Sequence, residues 1–304
     1  MNVIFDTNSI YYLDTANFNT SEHLSDNEFA ILKENVENKK LSIFISYISM
    51  VELSSHLKEQ QKDFTTIQNG VRKLFELYPV FLPDPETLFT EYITNIKTNS
   101  NHKSITDSQK IFTAIKLAPN IQQLEKGFAA NNNCYKVDLN TIKNCRDSYE
   151  NQYTDDIRNF VLTAIPNFDT KRLKGKHTRL SKTELCNFND YLNSGNWINW
   201  IKYMLAYRGQ AKFNDANTSI LTKIDFFEKS YKKLLIHTFQ QGYQPQNNKN
   251  DYNDLHFNVY FNNYNDYVFI TSENNVIFDE LKNHNRCMKL KELCDKLSNN
   301  NSLI

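Results

Sequence analysis

Short apolar runs that end in polar, turn-forming residues stand near both ends of the chain. The run from Val3 to Phe5 is followed by Asp6-Thr7-Asn8, a pattern that predicts a short buried strand with an acid directly after it. The run from Tyr267 to Thr271, followed by Ser272 and Glu273, repeats this arrangement. Since ligands bind at the carboxyl ends of strands in open α/β sheets, these strand ends are candidate places for a site.

Alternating strand and helix patterns fill residues 1–85 and return from about residue 233. This β-α-β order favours a parallel sheet, so we predict an α/β fold with a central parallel sheet flanked by helices. Pro83 and Pro85 end the third strand. The predicted strands are 3–5, 42–46, 80–84 and 267–271. The predicted helices are 26–38, 48–57, 65–78, one that contains 234–239, 275–282 and one that starts at Asp254.

Residues 86–232 differ from both flanks because their apolar positions recur at helical spacing, as in Trp197, Trp200, Ile201 and Met204. We predict a mainly helical inserted subdomain at 86–232, with loops near 99–107 and 129–140. Residues 1–85 and 233–304 would then form one discontinuous domain. The two tryptophans can either stack unpaired bases or form core, and their helical spacing favours core.

The composition narrows the possible functions. Lysine plus arginine and aspartate plus glutamate both number 35, so no overall basic field indicates a nucleic-acid binder, and a site for a polyanion must be local. Only 6 glycines are present and no dinucleotide-binding fingerprint appears. The 5 cysteines lack Cys-x-x-Cys spacing, which disfavours a disulfide framework or a zinc site.

The chain shows no secretory signal and no run of about 20 apolar residues that would span a membrane. We therefore expect a cytoplasmic protein without a membrane partner.

Four acids follow strands or begin helices in the predicted α/β part of the chain: Asp6, Glu52, Asp254 and Glu273. Hard divalent cations such as Mg²⁺ or Mn²⁺ take oxygen ligands, and a carboxylate cluster without a cation is costly because the charges repel each other. The neutral or neighbouring groups expected in the second shell are Asn8, Thr271, Ser272 and Asp251.

The strings VIFDTNSIYYL, SYISMVEL and NDLHFNVYFNNYNDYVFITSENNVIF, in this order, resemble the PIN domain, a family of metal-dependent nucleases that mostly cut single-stranded RNA. The resemblance implies a PIN-like sheet and a catalytic set of Asp6, Glu52, Asp254 and Glu273. It also implies that Asp6, Asp254 and Glu273 bind the metal, while Glu52 either binds metal or orients the attacking water.

One position departs from the family pattern. The last acid, within Thr271-Ser272-Glu273, is a glutamate where the family more often has aspartate, and its longer side chain places the oxygens differently. Asp251 and Asp266 are therefore rival candidates for the fourth acid.

A basic segment runs from Lys171 to Lys182 with the sequence KRLKGKHTRLSK and contains no acid. Such a local concentration of cations can contact phosphates and release counterions, although a solvated loop is the alternative. The candidate RNA-binding residues are Lys171, Arg172, Lys174, Lys176, Arg179 and Lys182.

Together these features predict a metal-dependent endoribonuclease that leaves a 5′-phosphate and a 3′-hydroxyl, as the resemblance implies. A structured RNA such as tRNA, a toxin or antiviral defence role, and a regulatory protein partner or larger defence complex are further expectations. The alternatives are a DNA nuclease of the flap-cleaving type and a catalytically silent RNA-binding module of the same fold.

Overall fold

A computed structural model describes residues 1–15, 21–59, 63–94, 103–174, 179–208, 223–242, 251–262 and 265–299. Its centre is a five-stranded parallel sheet in the strand order β3-β2-β1-β6-β7, and a two-stranded antiparallel hairpin lies apart from it. The strands are β1 Asn2–Phe5, β2 Ser42–Ile45, β3 Val80–Phe81, β4 Phe128–Ala130, β5 Asn133–Tyr135, β6 Tyr267–Ile270 and β7 Cys287–Met288.

Helices cover both faces of the sheet, which confirms the predicted α/β class with a parallel sheet flanked by helices. The helices are α1 Thr7–Tyr12, α2 Asp26–Glu37, α3 Tyr47–Lys58, α4 Phe64–Glu76, α5 Pro85–Thr94, α6 Lys103–Leu117, α7 Ile121–Lys126, α8 Leu139–Ala164, α9 Lys182–Leu192, α10 Gly195–Arg208, α11 Asp225–Gln241, α12 Asp251–Phe257, α13 Asp279–Asn283 and α14 Leu290–Ser298. Short 3₁₀ turns lie at Thr170–Lys174, Asn258–Tyr260 and Val276–Phe278.

Local sequence explains where several of these helices begin. Ser25 caps α2 in a reciprocal capping box with Glu28, and Asp63 accepts hydrogen bonds from the first turn of α4. Ser46 caps α3 directly after β2, which fixes the sharp turn from strand to helix. Each cap satisfies backbone N–H groups that the helix itself leaves without acceptors.

The sheet separates two hydrophobic cores because side chains alternate between the faces of a strand. Val3 and Phe5 enter the core formed with α1, α2, α4 and α14, whereas Ile4 enters the core formed with α9 to α12. The segment 86–232 contributes to both cores, through α6 on one face and through α5 and α8 to α10 on the other. Helices of this segment thus pack in the cores on both faces of the sheet.

Trp197 and Trp200 are buried in the second core, against Phe160, so the core alternative holds for both tryptophans. Tyr203 on the same helix is 63% exposed.

Several stretches differ from the pattern-based expectations. Helix α6 already begins at Lys103, within the predicted loop near 99–107. The helix predicted at 275–282 is a 3₁₀ turn at Val276–Phe278 followed by α13.

The predicted loop at 129–140 contains most of the β4–β5 hairpin, which turns at Asn131 and Asn132 with φ angles of 48° and 62°. Asparagine tolerates this left-handed region better than most residues, and two such positions make a tight hairpin turn. Asp254 lies inside α12 and not at its start, since α12 already includes Asp251.

Among the described residues, no helix combines the length and the apolar character that a membrane crossing requires.

Candidate functional site

The carboxyl ends of β1 and β6 lie side by side. The two strands pair in parallel with Phe5 opposite Ile270, and the backbone N–H of Asp6 donates to the Ile270 carbonyl at 3.1 Å. The chain runs from β1 outward to β2 and β3, and its last two strands fill the opposite side. The carboxyl end of the β1–β6 pair is therefore a topological switch point, the place where open α/β sheets bind ligands.

Asp6 leaves β1 and caps α1. Its Oδ1 accepts a hydrogen bond from the Ser9 backbone N–H at 2.6 Å, while the Ser9 hydroxyl donates to the Ile270 carbonyl at 2.6 Å. The side chain of Asp6 is buried, and its burial raises the pKa, although hydrogen bonds from Thr271 and Ser9 oppose that shift. The predicted second-shell residue Thr271 thus touches Asp6 directly.

Glu52 reaches the same region from α3. The Ser49 hydroxyl donates to the Phe5 carbonyl at 3.0 Å, which ties the first turn of α3 to the end of β1. One turn further, Glu52 Oε2 accepts a hydrogen bond from the Thr7 hydroxyl at 2.5 Å. Burial and then the negative charge of Glu273 raise the pKa of Glu52 to about 7.

Asp254 and Asp251 lie one turn apart on α12 and share a hydrogen-bond donor. The Asn275 side-chain amide donates to Asp251 Oδ1 at 3.0 Å and to Asp254 Oδ2 at 3.1 Å. Both carboxylates are buried. Desolvation, followed by the charges of Glu273 and Glu52, raises the pKa of Asp254 well above its ordinary value. Nothing in the sequence pattern indicated Asn275.

Glu273 lies at the mouth of the site. Its backbone N–H donates to the Thr271 hydroxyl at 3.1 Å, and the Asn8 amide donates to its Oε1 at 3.1 Å. The residue is exposed on its outer side, yet desolvation of the carboxylate and the charges of Asp6 and Asp251 raise its pKa to about 7. Asn8 therefore holds one oxygen of the Glu273 carboxylate in place.

All four predicted acids line one pocket with an interior volume of about 70 Å³. This volume is room for a few waters or a partly hydrated ion. Two lining residues with titratable side chains, His56 on α3 and Arg146 on α8, were not among the predicted site residues. The remaining lining residues are Thr7, Asn8, Phe257, Phe269, Thr271 and Phe278.

The donor set suits a hard cation in chemistry, because carboxylate oxygens are the ligands that Mg²⁺ and Mn²⁺ prefer. Within the described parts of the chain, no group of three or more His, Cys, Asp or Glu side chains is arranged to hold a metal ion. The acids thus share a pocket and influence each other's charge without forming a preassembled ligand set.

No model of a known family matches the chain, and searches of curated proteins and of solved structures also found no match. The chemistry of the pocket therefore has to be judged from its own residues.

Two of the candidate residues lie elsewhere. Asp266 precedes β6 and accepts a hydrogen bond from Asn2 at 2.8 Å, which places it at the amino-terminal edge of the sheet, opposite the pocket. The Ser272 hydroxyl lies 3.5 Å from the Tyr12 hydroxyl and does not line the pocket.

The basic segment begins just beyond the carboxyl end of α8. Arg172 is engaged within the fold, because its guanidinium donates to Glu184 at 2.7 Å and stacks over Phe168. Lys171, Arg179 and Lys182 are exposed. The side chain of Lys174 and the whole of Lys176 lie outside the described residues.

The raised pKa of Glu52 predicts how stability depends on pH when no divalent cation is present. The pKa of an unfolded glutamate is near 4.5, whereas burial raises the pKa of Glu52 in the folded chain to about 7. Between these values the folded state keeps a proton that the unfolded state has released, so the free energy of unfolding falls as the pH rises through this window. Glutamine at this position removes the titration and can still accept the Thr7 hydrogen bond.

Thermal unfolding in EDTA, followed by circular dichroism from about pH 5 to about pH 8, checks this prediction. The melting temperature of Glu52→Gln should fall less steeply with pH than that of the unsubstituted chain. Glu34→Gln, on the exposed face of α2, is the control and should follow the unsubstituted chain. Equal slopes for all three proteins would contradict a raised pKa at Glu52.

Proposed function

We propose that the protein is a PIN-like, metal-dependent nuclease that hydrolyses RNA. The observation that carries this proposal is the convergence of Asp6, Glu52, Asp254 and Glu273 on one pocket at the carboxyl ends of β1 and β6. These acids come from four separate segments of the chain, and the fold keeps them together although burial raises the pKa of each. Repulsion from the other acids adds to this shift at Glu52, Asp254 and Glu273.

Ionised carboxylates held close together in a buried pocket repel each other, and a bound cation would reduce this repulsion. At neutral pH, carboxyls with a pKa of about 7, such as those of Glu52 and Glu273, are partly protonated. Ionised Glu52 and Glu273 would hold a divalent cation more strongly than the protonated forms, so binding of Mg²⁺ or Mn²⁺ would be accompanied by proton release from these carboxyls.

Asp6, Asp254 and Glu273 would hold the cation, which when bound lowers the pKa of a water and stabilises charge on the scissile phosphate. Asn275 and Asn8 orient Asp254 and Glu273 through the hydrogen bonds described above.

Glu52 completes the set. Its Oε2 is occupied by the Thr7 hydroxyl, which leaves Oε1 to orient the attacking water and accept its proton. The water attacks the phosphorus and the P–O3′ bond breaks, so the products carry a 5′-phosphate and a 3′-hydroxyl, as the resemblance to the PIN domain implies.

A polynucleotide as the substrate is supported by the distance between the pocket and the basic segment, while the choice of RNA over DNA rests on the resemblance to the PIN domain. Arg146 lines the pocket, and Ala164 at the other end of α8 lies about 27 Å further along the helix axis, at about 1.5 Å per residue. Exposed cations at Lys171, Arg179 and Lys182 follow that end. A ligand that contacts both places is a polynucleotide and not a mononucleotide.

Cleavage of end-labelled single-stranded RNA and of tRNA tests the proposal, with Mg²⁺ or Mn²⁺ and with EDTA. We expect cleavage only with the metal, 5′-phosphate ends, and a loss of about a hundredfold or more for Asp254→Asn. Asp266→Asn is the matched control, since this acid lies at the opposite edge of the sheet and its loss should leave the rate unchanged. Metal-independent cleavage, or equal rates for the two variants, would contradict the proposal.

A catalytically silent RNA-binding module is the second candidate, favoured by the absence of a preassembled ligand set among the described residues. Calorimetric titration with Mn²⁺ separates the two candidates. A nuclease should bind the ion and lose that binding in Asp254→Asn, whereas a silent module should bind RNA but not the ion. Cleavage of branched DNA in preference to RNA would instead indicate a flap-type nuclease.

A further inference from the structure

The segment 86–232 places one positively charged side chain, that of Arg146, in the acidic pocket. Among the described residues that line it, Arg146 is the one arginine or lysine. Helix α8, which carries Arg146, packs against α3 and also contacts α12, so it lies against the helices that carry Glu52 and Asp254. Arg146, which belongs to the inserted segment, thus lines the same pocket as the candidate catalytic carboxylates.

The guanidinium of Arg146 is held from two sides. Its Nη1 lies 3.2 Å from Glu59 Oε2, just beyond the end of α3, and its Nε lies 2.9 Å from Glu150 Oε1, one turn along α8. Lys143 adds a further contact to Glu59 at 3.4 Å. Because Arg146 and Glu150 are both almost fully buried, the charge is fixed in place before any ligand arrives.

A phosphodiester that enters this pocket lies beside several carboxylates, and their negative charge repels the phosphate. The charge of Arg146 is close enough to oppose the upward pKa shift of Glu52, so it acts on the same space as the acids. During hydrolysis, negative charge grows on the non-bridging oxygens of the phosphate. A preorganised arginine at that place stabilises the growing charge without having to reorganise.

We propose that Arg146 is the phosphate-binding residue of the pocket, where it holds a non-bridging oxygen of the scissile phosphodiester. This inference rests on the proposed function and gives the inserted segment a catalytic part in it. It predicts that Arg146 contributes to RNA affinity and, more strongly, to turnover.

A simple removal of Arg146 leaves Glu150 buried without its partner, and the variant could fail to fold for that reason alone. The comparison is therefore made between Glu150→Gln and the double variant Arg146→Gln, Glu150→Gln, in which no orphaned carboxylate remains at position 150. Lys143→Gln is the matched control, since Lys143 contacts the same Glu59 from the same helix but does not line the pocket. Thermal unfolding first establishes that each protein is folded.

Three quantities are then measured: kcat and KM for RNA cleavage with Mn²⁺, the calorimetric affinity for Mn²⁺ alone, and the affinity for a fluorescent single-stranded RNA in Ca²⁺. Relative to Glu150→Gln, the double variant should lose about a hundredfold in kcat and about tenfold in RNA affinity. Its Mn²⁺ affinity should not fall, because the substitution removes a positive charge that opposes cation binding in the same pocket. Lys143→Gln should match the unsubstituted chain throughout.

The outcomes separate this inference from the proposed function. Unchanged kcat and RNA affinity in the folded double variant would overturn the role of Arg146, and so would a loss of kcat that only follows a loss of Mn²⁺ affinity. If the unsubstituted chain cleaves no RNA, the proposed function fails, and the RNA affinities alone then decide whether Arg146 contacts phosphate.

Discussion

Replacement of Asp6 by asparagine is expected to reduce RNA cleavage about a thousandfold or more while the protein stays folded. Asparagine has the same shape as aspartate and caps helices equally well, so the hydrogen bond from the Ser9 N–H to the side chain is retained. The negative charge at the end of β1 is lost. Because burial already disfavours that charge, its removal also spares the fold a desolvation cost.

Single-turnover cleavage rates and urea unfolding of the same preparations measure both effects. Asp6→Ala provides the contrast, since it loses the cap as well as the charge and should unfold with a free energy lower by about 1 kcal/mol. Asp26→Asn, an exposed acid in the first turn of α2, is the control for a neutralised aspartate and should cleave normally. Cleavage by Asp6→Asn within about tenfold of the unsubstituted rate would contradict a metal-binding role for Asp6.

The position of Asp6 could be predicted from sequence because its causes are local. An apolar run too short for a helix predicts a buried strand, and a buried parallel strand delivers the next polar residue to the carboxyl edge of the sheet. The same reasoning applies to Glu273 after β6. The structure places both residues at that edge, in neighbouring strands.

The pairing of distant elements could not be predicted in the same way. The amphipathic pattern of α8 indicates that one of its faces is buried, but it does not indicate which element covers that face. The packing of α8 against α3, which brings Arg146 to the pocket, could therefore not be predicted from the sequence. Of the two carboxylates that hold Arg146, Glu150 stands at the helical spacing of an ion pair, whereas Glu59 comes from a remote segment.

The choice among the rival acids shows a similar limit. Asp266 and Glu273 flank the same strand, and only the direction of β6 in the sheet decides which of them faces the pocket. Parallel pairing with β1 places Glu273 beside Asp6 and sends Asp266 to Asn2 at the other edge. The sequence indicated the strand, but its partner and direction depend on pairing with β1, which lies more than 260 residues earlier in the chain.

The largest loss of folding stability is expected from Gly70→Ala. Gly70 lies on α4 where this helix crosses α1, and a Cβ at this position would stand 2.4 Å from the Ile10 carbonyl oxygen and 3.2 Å from its carbon. Both are backbone atoms, so the clash cannot be relieved by a side-chain rotation, and the helices must separate. Overpacking of this kind costs about 1–3 kcal/mol or more, which exceeds the gain of about 1 kcal/mol from the better helix propensity of alanine.

Gly195→Ala is the matched control, since a Cβ at Gly195 meets nothing within 4 Å and the helix α10 should be unaffected or slightly stabilised. Urea unfolding of the two variants gives the difference in the free energy of unfolding, and equal values would contradict the close packing of α1 on α4.

The same substitution also tests how the fold positions the site. Helix α1 carries Thr7 and Asn8, which hold Glu52 and Glu273, so a displacement of α1 moves two of the four acids without changing any of them. Gly70→Ala should therefore lower cleavage even at temperatures where the variant remains folded, because a misplacement of about 1 Å can cost about a hundredfold in rate. Unchanged cleavage in a destabilised but folded Gly70→Ala would mean that Glu52 and Glu273 keep their places without α1, and that β6 and α3 alone position them.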